Sequence, residues 1–117
     1  MPSAPRLILS AAIVLVAAAP AFAAPSPATR KGEELFTRKG CIGCHTLKGH
    51  EGADGQLGPD LSKIAKERDK DFLVPWIQDP QAQKPGSAMP TLGLSTKEAE
   101  ALADYLLAER PRKGKRL

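Results

Sequence analysis

Cys41-Ile42-Gly43-Cys44-His45 decides how the rest of this 117-residue chain is read. Two thiols separated by two residues and followed at once by an imidazole form C-x-x-C-H, the attachment signature for c-type haem. The spacing has a mechanical reason. In a tight turn both thiols reach the two vinyl groups on one edge of a porphyrin and form thioethers, and the adjacent imidazole is delivered beneath the iron as an axial ligand. Three other uses of these residues compete. A thioredoxin-like redox pair wants a βαβ context, and no strand-like alternation occurs in the chain. A zinc site would have to take Cys41, Cys44, His45 and His50, all within ten residues and without the long spacer usual between ligand pairs. A disulfide between Cys41 and Cys44 would close a tiny loop and constrain the unfolded chain little. The spacing favours haem.

Outward from the motif, Lys39 to Pro59 carries Gly40, Gly43, Gly49, Gly52, Gly55 and Gly58, too many for regular structure, so the cysteines sit on a long loop. Helices are expected on both sides of it. Ser26-Pro27 has N-cap and N1 chemistry, and Ala28, Gly32, Leu35 and Phe36 recur at helical spacing. A glycine inside a helix costs about 1 kcal/mol relative to alanine, so Gly32 points to the close approach of another helix. Leu61, Ile64 and Ala65 predict a short helix opened by Asp60. Another is expected through Phe72, Leu73, Trp76 and Ile77, with Pro75 near its first turn and Asp79-Pro80 as its stop. Gln81 to Gly93 reads as an extended loop around Met89. The last helix is the best signed: Ser95-Thr96-Lys97-Glu98 is a capping box, Leu94 and Ala99 are placed as a hydrophobic staple, and Pro111 closes the run after Arg110. Ala99, Leu102, Ala103 and Leu106 form its apolar stripe, with Tyr105 beside it.

The N-terminus reads as an export signal: Arg6 is the positive region, Leu7 to Ala19 the apolar region, and Ala21-Phe22-Ala23 an A-x-A cleavage site. Thirteen apolar-region residues fall short of the roughly 17–25 that a membrane-spanning helix requires. Residues 1–23 are therefore expected to be a signal peptide, with an uncleaved anchor as the alternative, and 24–117 a single domain, with a helical core over 28–109 and a basic tail over 110–117. That domain holds few aromatics, namely Phe36, Phe72, Trp76 and Tyr105, so something other than a disulfide must fill its interior. Charge is uneven. Arg110, Arg112, Lys113, Lys115 and Arg116 crowd the tail, whereas eleven cations against thirteen acids give residues Ala24 to Glu109 a net of −2. Without a basic body carrying interleaved aromatics, no nucleic-acid surface is expected. Any membrane contact would be peripheral, and a monomer is expected.

An iron held by His45 has a second face, for which Met89, His50 and the lysines are the candidates. His50 lies too close to His45 in sequence to swing easily to the opposite side, and Met89 comes from a Pro-bounded loop far along the chain, so Met89 is the expected ligand. The alternative is a flexible methionine filling a gap. Met ligation of a His-bound iron raises the reduction potential. His50 itself reads as a solvated loop residue.

From Ala28 to Ala108 the chain resembles the class I cytochromes c. The resemblance rests on C-x-x-C-H at Cys41–His45, on Gly58-Pro59-Asp60-Leu61, on the Met89-Pro90 loop, and on paired terminal helices carrying Gly32-x-x-x-Phe36 and Leu102-x-x-Tyr105. It implies an all-α fold in which the N- and C-terminal helices cross with Gly32 against Tyr105, while short helices and loops wrap one covalently bound haem. It also implies that the Pro59 carbonyl accepts from His45 Nδ1–H; a purely turn-shaping Pro59 is the other reading. Trp76-Ile77-Gln78-Asp79-Pro80 followed by Lys84-Pro85-Gly86-x-x-Met89-Pro90 is similar to bacterial short cytochromes and to the cytochrome c domain fused to some oxidase subunit II chains. Trp76 carries two readings, a propionate hydrogen bond through its indole or ordinary core burial.

The expected function is one-electron transfer in the periplasm by a non-enzymatic carrier that serves membrane respiratory complexes and terminal oxidases or reductases. The alternatives are a resident haem subunit of a larger dehydrogenase or oxidase, and a catalytic or gas-binding haem, which would need an open iron. The basic tail, with Lys39, Lys48 and Lys84, is a candidate for steering an acidic partner.

Overall fold

The computed structural model describes residues 1–18 and 24–108, so the expected cleavage site at Ala21-Phe22-Ala23 and the basic tail lie outside the described residues. Residues 1–18 form no helix or strand, and Leu7, Ile8, Leu9 and Ile13 to Val16 are exposed. Among the described residues no helix is long and apolar enough to cross a membrane. The ordered elements are α1 (Pro27–Arg38), a 3-10 turn (Cys41–Gly43), α2 (Ile64–Glu67), α3 (Lys70–Gln78), α4 (Pro80–Gln83) and α5 (Thr96–Leu107).

The two terminal helices are the frame, and both begin at caps that the sequence announces. Ser26 Oγ accepts from Thr29 N–H at 3.1 Å at the start of α1. Ser95 Oγ accepts from Glu98 N–H at 3.2 Å while Glu98 returns a carboxylate oxygen to Ser95 N–H at 2.9 Å. Gly32, Leu35 and Phe36 of α1 are buried, whereas Ala28 is exposed, so the apolar stripe begins one turn later than its periodicity suggests. At the crossing, a Cβ on Gly32 would lie 2.1 Å from the Ala101 carbonyl oxygen and 2.5 Å from Tyr105 Cβ. The expected meeting of Gly32 with Tyr105 is therefore made at backbone distance, which no other residue type permits. Ala99, Leu102, Ala103, Tyr105 and Leu106 complete the buried side of α5.

Three elements between the frame differ from expectation, each for a capping reason. Asp60 does not open a helix; its Oδ1 accepts from Ser62 N–H at 2.8 Å in a tight turn, and α2 starts only at Ile64. Helix α3 starts early because Asp69 Oδ1 accepts from Phe72 N–H at 2.9 Å. That leaves Pro75 in the helix interior instead of the first turn, where it removes the bond to the carbonyl of the exposed Asp71. Asp79 ends α3 by donating its N–H to the Pro75 carbonyl at 3.1 Å, and its carboxylate then accepts from Ala82 N–H at 3.1 Å. With Pro80 next, this repeats the Ser26-Pro27 start and opens α4 where an extended loop was expected. Leu73 and Ile77 of α3 are buried in the core shared with α5, and Lys70 Nζ reaches Asp104 Oδ1 of α5 at 2.8 Å on the surface.

Candidate cofactor-attachment site

The 3-10 turn places both thiols on a single tight bend, closed by Gly43 N–H to Gly40 carbonyl at 3.1 Å and His45 N–H to Cys41 carbonyl at 2.9 Å. Cys41 and Cys44 are half-buried and not joined in a disulfide. Burial pushes the Cys41 thiol up, and the neighbouring Cys44 adds to the rise while a local backbone hydrogen bond opposes it. A raised thiol is the reverse of what a redox-active Cys-x-x-Cys needs, because such pairs work through a depressed, electropositive thiolate.

His45 is fixed from two sides. Its Nδ1 lies 2.8 Å from the Pro59 carbonyl oxygen. A carbonyl only accepts, so the proton sits on Nδ1 and the lone pair of the neutral ring is on Nε2. Against the ring lies Gly58, where a Cβ would come within 2.5 Å of His45 Cε1. Gly55 backs the turn itself, since its Cβ would fall 2.5 Å from the Cys44 nitrogen and the Gly43 carbonyl carbon. Gly58 N–H donates to the Cys44 carbonyl at 2.7 Å, and Thr46 Oγ1 donates to the Gly55 carbonyl at 3.0 Å, so this loop is laced to the motif it supports. Two unbridged thiols on one bend and an imidazole oriented through Nδ1 are the donor set that covalent haem attachment calls for. The residues fit the group.

His50 corrects the reading of a solvated loop residue and drops out as a candidate zinc ligand. Thr46 pairs with Asp54, and the loop they close turns His50 back onto the terminal helices. Its Nδ1 lies 2.6 Å from Tyr105 Oη of α5, its Nε2 lies 2.7 Å from Thr37 Oγ1 of α1, and its ring meets Phe36 edge-on at 5.0 Å. Both nitrogens are thus engaged away from Cys41 and Cys44. Nothing local signals this, since Tyr105 is 55 residues distant in sequence.

The structure brings Cys41, Cys44, His45 and Pro59 together. Trp76 stands on α3, half-buried and stacked on Phe72 at 5.7 Å and 15°, with the Arg68 guanidinium 4.6 Å over the Phe72 ring. Met89 is half-buried on the loop beyond α4, and its N–H donates to Ser87 Oγ at 3.3 Å. Gly55 carries no local signal as a site residue, because its role is to lack a side chain against non-local atoms.

A family model described as cytochrome c matches residues 29–109. Over 95 residues the chain is 34% identical to "Cytochrome c oxidase subunit 2" of Bacillus subtilis (strain 168), an overlap of 71% of this chain and 27% of that protein. It is 34% identical over 82 residues to a nitric oxide reductase subunit of Stutzerimonas stutzeri, covering 65% of this chain and 54% of the relative. For a nitric oxide reductase subunit of Paracoccus denitrificans the identity is 33% over 91 residues, covering 70% of this chain and 59% of the relative. The chain thus spans about a quarter of the oxidase subunit's length and little more than half of the reductase subunit's.

Proposed function

This chain belongs to the cytochrome c family of electron-transfer haem proteins, and on that premise we propose that it is an exported single-haem carrier with His45 and Met89 as axial ligands. Haem c, when bound, supplies a one-electron couple. The chain's own residues do the rest. Cys41 and Cys44 tether the group by two thioethers, which fixes the position of the adjacent imidazole. The Pro59 carbonyl holds the Nδ1 proton of His45, and the missing side chain of Gly58 leaves the ring the space it occupies. A hydrogen-bonded imidazole is a stronger donor and keeps one orientation in both oxidation states. Met89 brings a neutral, soft thioether that favours the reduced state. With His45 and Met89 both holding the iron, a substrate would find no place on it, and outer-sphere transfer would be the remaining chemistry. Trp76, half-buried against Phe72, carries an indole N–H that would serve as a propionate donor.

The observation that carries this reading is the contact of His45 Nδ1 with the Pro59 carbonyl beside two unbridged thiols. Spectra of the purified protein test it. Attached haem gives sharp visible bands on reduction, and Met89 ligation gives a near-infrared sulfur-to-iron band in the oxidised form that Met89→Ala abolishes. Retention of that band in the variant defeats the ligand assignment.

A second reading, a resident haem subunit, is favoured by relatives that are named as oxidase and reductase subunits. Gel filtration of a native periplasmic extract separates the two: a free carrier elutes as a small species and a subunit elutes with its complex. Export through residues 1–23 and docking through the basic tail belong to this same proposal. Truncation after Glu109 should then slow association with an acidic partner and flatten its salt dependence.

A further inference from the structure

Lys84-Pro85-Gly86-Ser87 forms a tight turn two residues before Met89. Ser87 N–H donates to the Lys84 carbonyl at 3.0 Å, Pro85 is at the second position, and Gly86 at the third has φ +80°, the left-handed conformation that a type II turn requires there. The turn's own bond uses the first carbonyl and the fourth N–H. It leaves over the Gly86 N–H and the Ser87 carbonyl, and both go to one side chain. Gly86 N–H donates to Gln81 Oε1 at 3.1 Å, and Gln81 Nε2 donates to the Ser87 carbonyl.

Gln81 lies on α4, whose start is pinned by Asp79. Beyond the turn, Ser87 Oγ accepts from Met89 N–H at 3.3 Å. Hydrogen bonds at Asp79, Gln81 and Ser87, joined by the chain between them, therefore link the start of α4 to the backbone of Met89. A primary amide offers a donor and an acceptor side by side, which suits the Ser87 carbonyl and the Gly86 N–H together.

We infer that Gln81 is a positioning residue that holds the Met89 loop in its ligating conformation, so that its removal loosens the thioether without unfolding the protein. The inference rests on the reading of Met89 as an axial ligand. A competing ligand can bind only after Met89 leaves, so its apparent affinity reports the fraction of molecules with the loop open.

The experiment titrates the oxidised full-length holoprotein with imidazole and follows the near-infrared band, with global stability measured in parallel by denaturant. Gln81→Ala should raise apparent imidazole affinity by about tenfold, the effect of two modest hydrogen bonds, while denaturant unfolding stays cooperative and the stability lost is no more than that same tenfold factor. Gln81→Glu keeps the shape but sets an acceptor against the Ser87 carbonyl, and it should behave like Gln81→Ala; Gln83→Ala on the same helix should match the unmodified protein. If Gln81→Ala or Gln81→Glu shows unmodified affinity while Met89→Ala has lost the band, the positioning role is wrong and the ligand assignment stands. If the unmodified protein lacks the band, the ligand assignment has failed and takes the inference with it.

Discussion

At the scale of single residues, the glycines around the motif are sorted by what lies opposite them. Gly43 has open space where a side chain would go, whereas Gly55 faces the backbone of Gly43 and Cys44, and Gly58 faces the His45 ring. Backbone cannot step aside as a flexible side chain does, so overpacking at Gly55 should cost about 1–3 kcal/mol. Gly43→Ala is therefore expected to keep the yield of coloured protein and its melting temperature, and Gly55→Ala to lower both; equal behaviour of the two variants would remove Gly55 from the support of the motif. Removing His50 should cost about 1–2 kcal/mol, because a partly buried hydrogen bond to Tyr105 and an exposed one to Thr37 go with it. Denaturant unfolding of His50→Ala measures that loss. C-x-x-C-H is legible because its chemistry is written in five consecutive letters. His50 is not, because its partners lie on two distant helices.

At the scale of elements, legibility follows the range of the bonds that set each boundary. Helices α1 and α5 begin at caps made within three residues, and both are plain in the sequence. Asp79-Pro80 carries the same local chemistry as Ser26-Pro27, yet a stop signal for α3 conceals a start signal for α4. Pro75 draws the expected start of α3 forward, although the Asp69 cap fixes it earlier.

The capping box of α5 makes a pH prediction. Hydrogen bonding from Ser95 N–H, the largest cause, together with the charges of Lys39 and Lys31, holds the Glu98 carboxyl below the ordinary glutamate range. A group depressed on folding contributes stability that is present above its unfolded pKa and lost as pH falls through its folded one. The melting temperature should thus fall on acidification through and below that range, and Glu98→Gln should show a shallower fall over the same interval. Parallel curves would mean that other carboxylates, such as the Ser62-bonded Asp60, carry the acid sensitivity.

At the scale of the whole molecule, the terminal helices meet at a point that tolerates no side chain, and the remaining elements are short. Gly32→Ala would gain about 1 kcal/mol of helix propensity, but its methyl would fall 2.1 Å from a carbonyl oxygen, so the helices must part and the net effect is destabilising. Within the frame the core is thin. Ala53, Ala99, Ala101 and Ala103 contribute little more than methyl groups to it, while Leu57 is 87% exposed and Phe72 41% exposed. A domain of this size with so small an aliphatic core is at the margin of independent stability, and covalent haem is the component that its sequence provides for. In Cys41→Ala/Cys44→Ala the attachment chemistry is gone while every buried residue of the terminal frame is kept. The purified variant is expected to be colourless, to lose about half or more of its helical circular dichroism, and to melt without a cooperative transition. A colourless variant that still melts as sharply as the coloured protein would show that the terminal helices fold on their own, and that the group is a passenger on this chain and not part of its core.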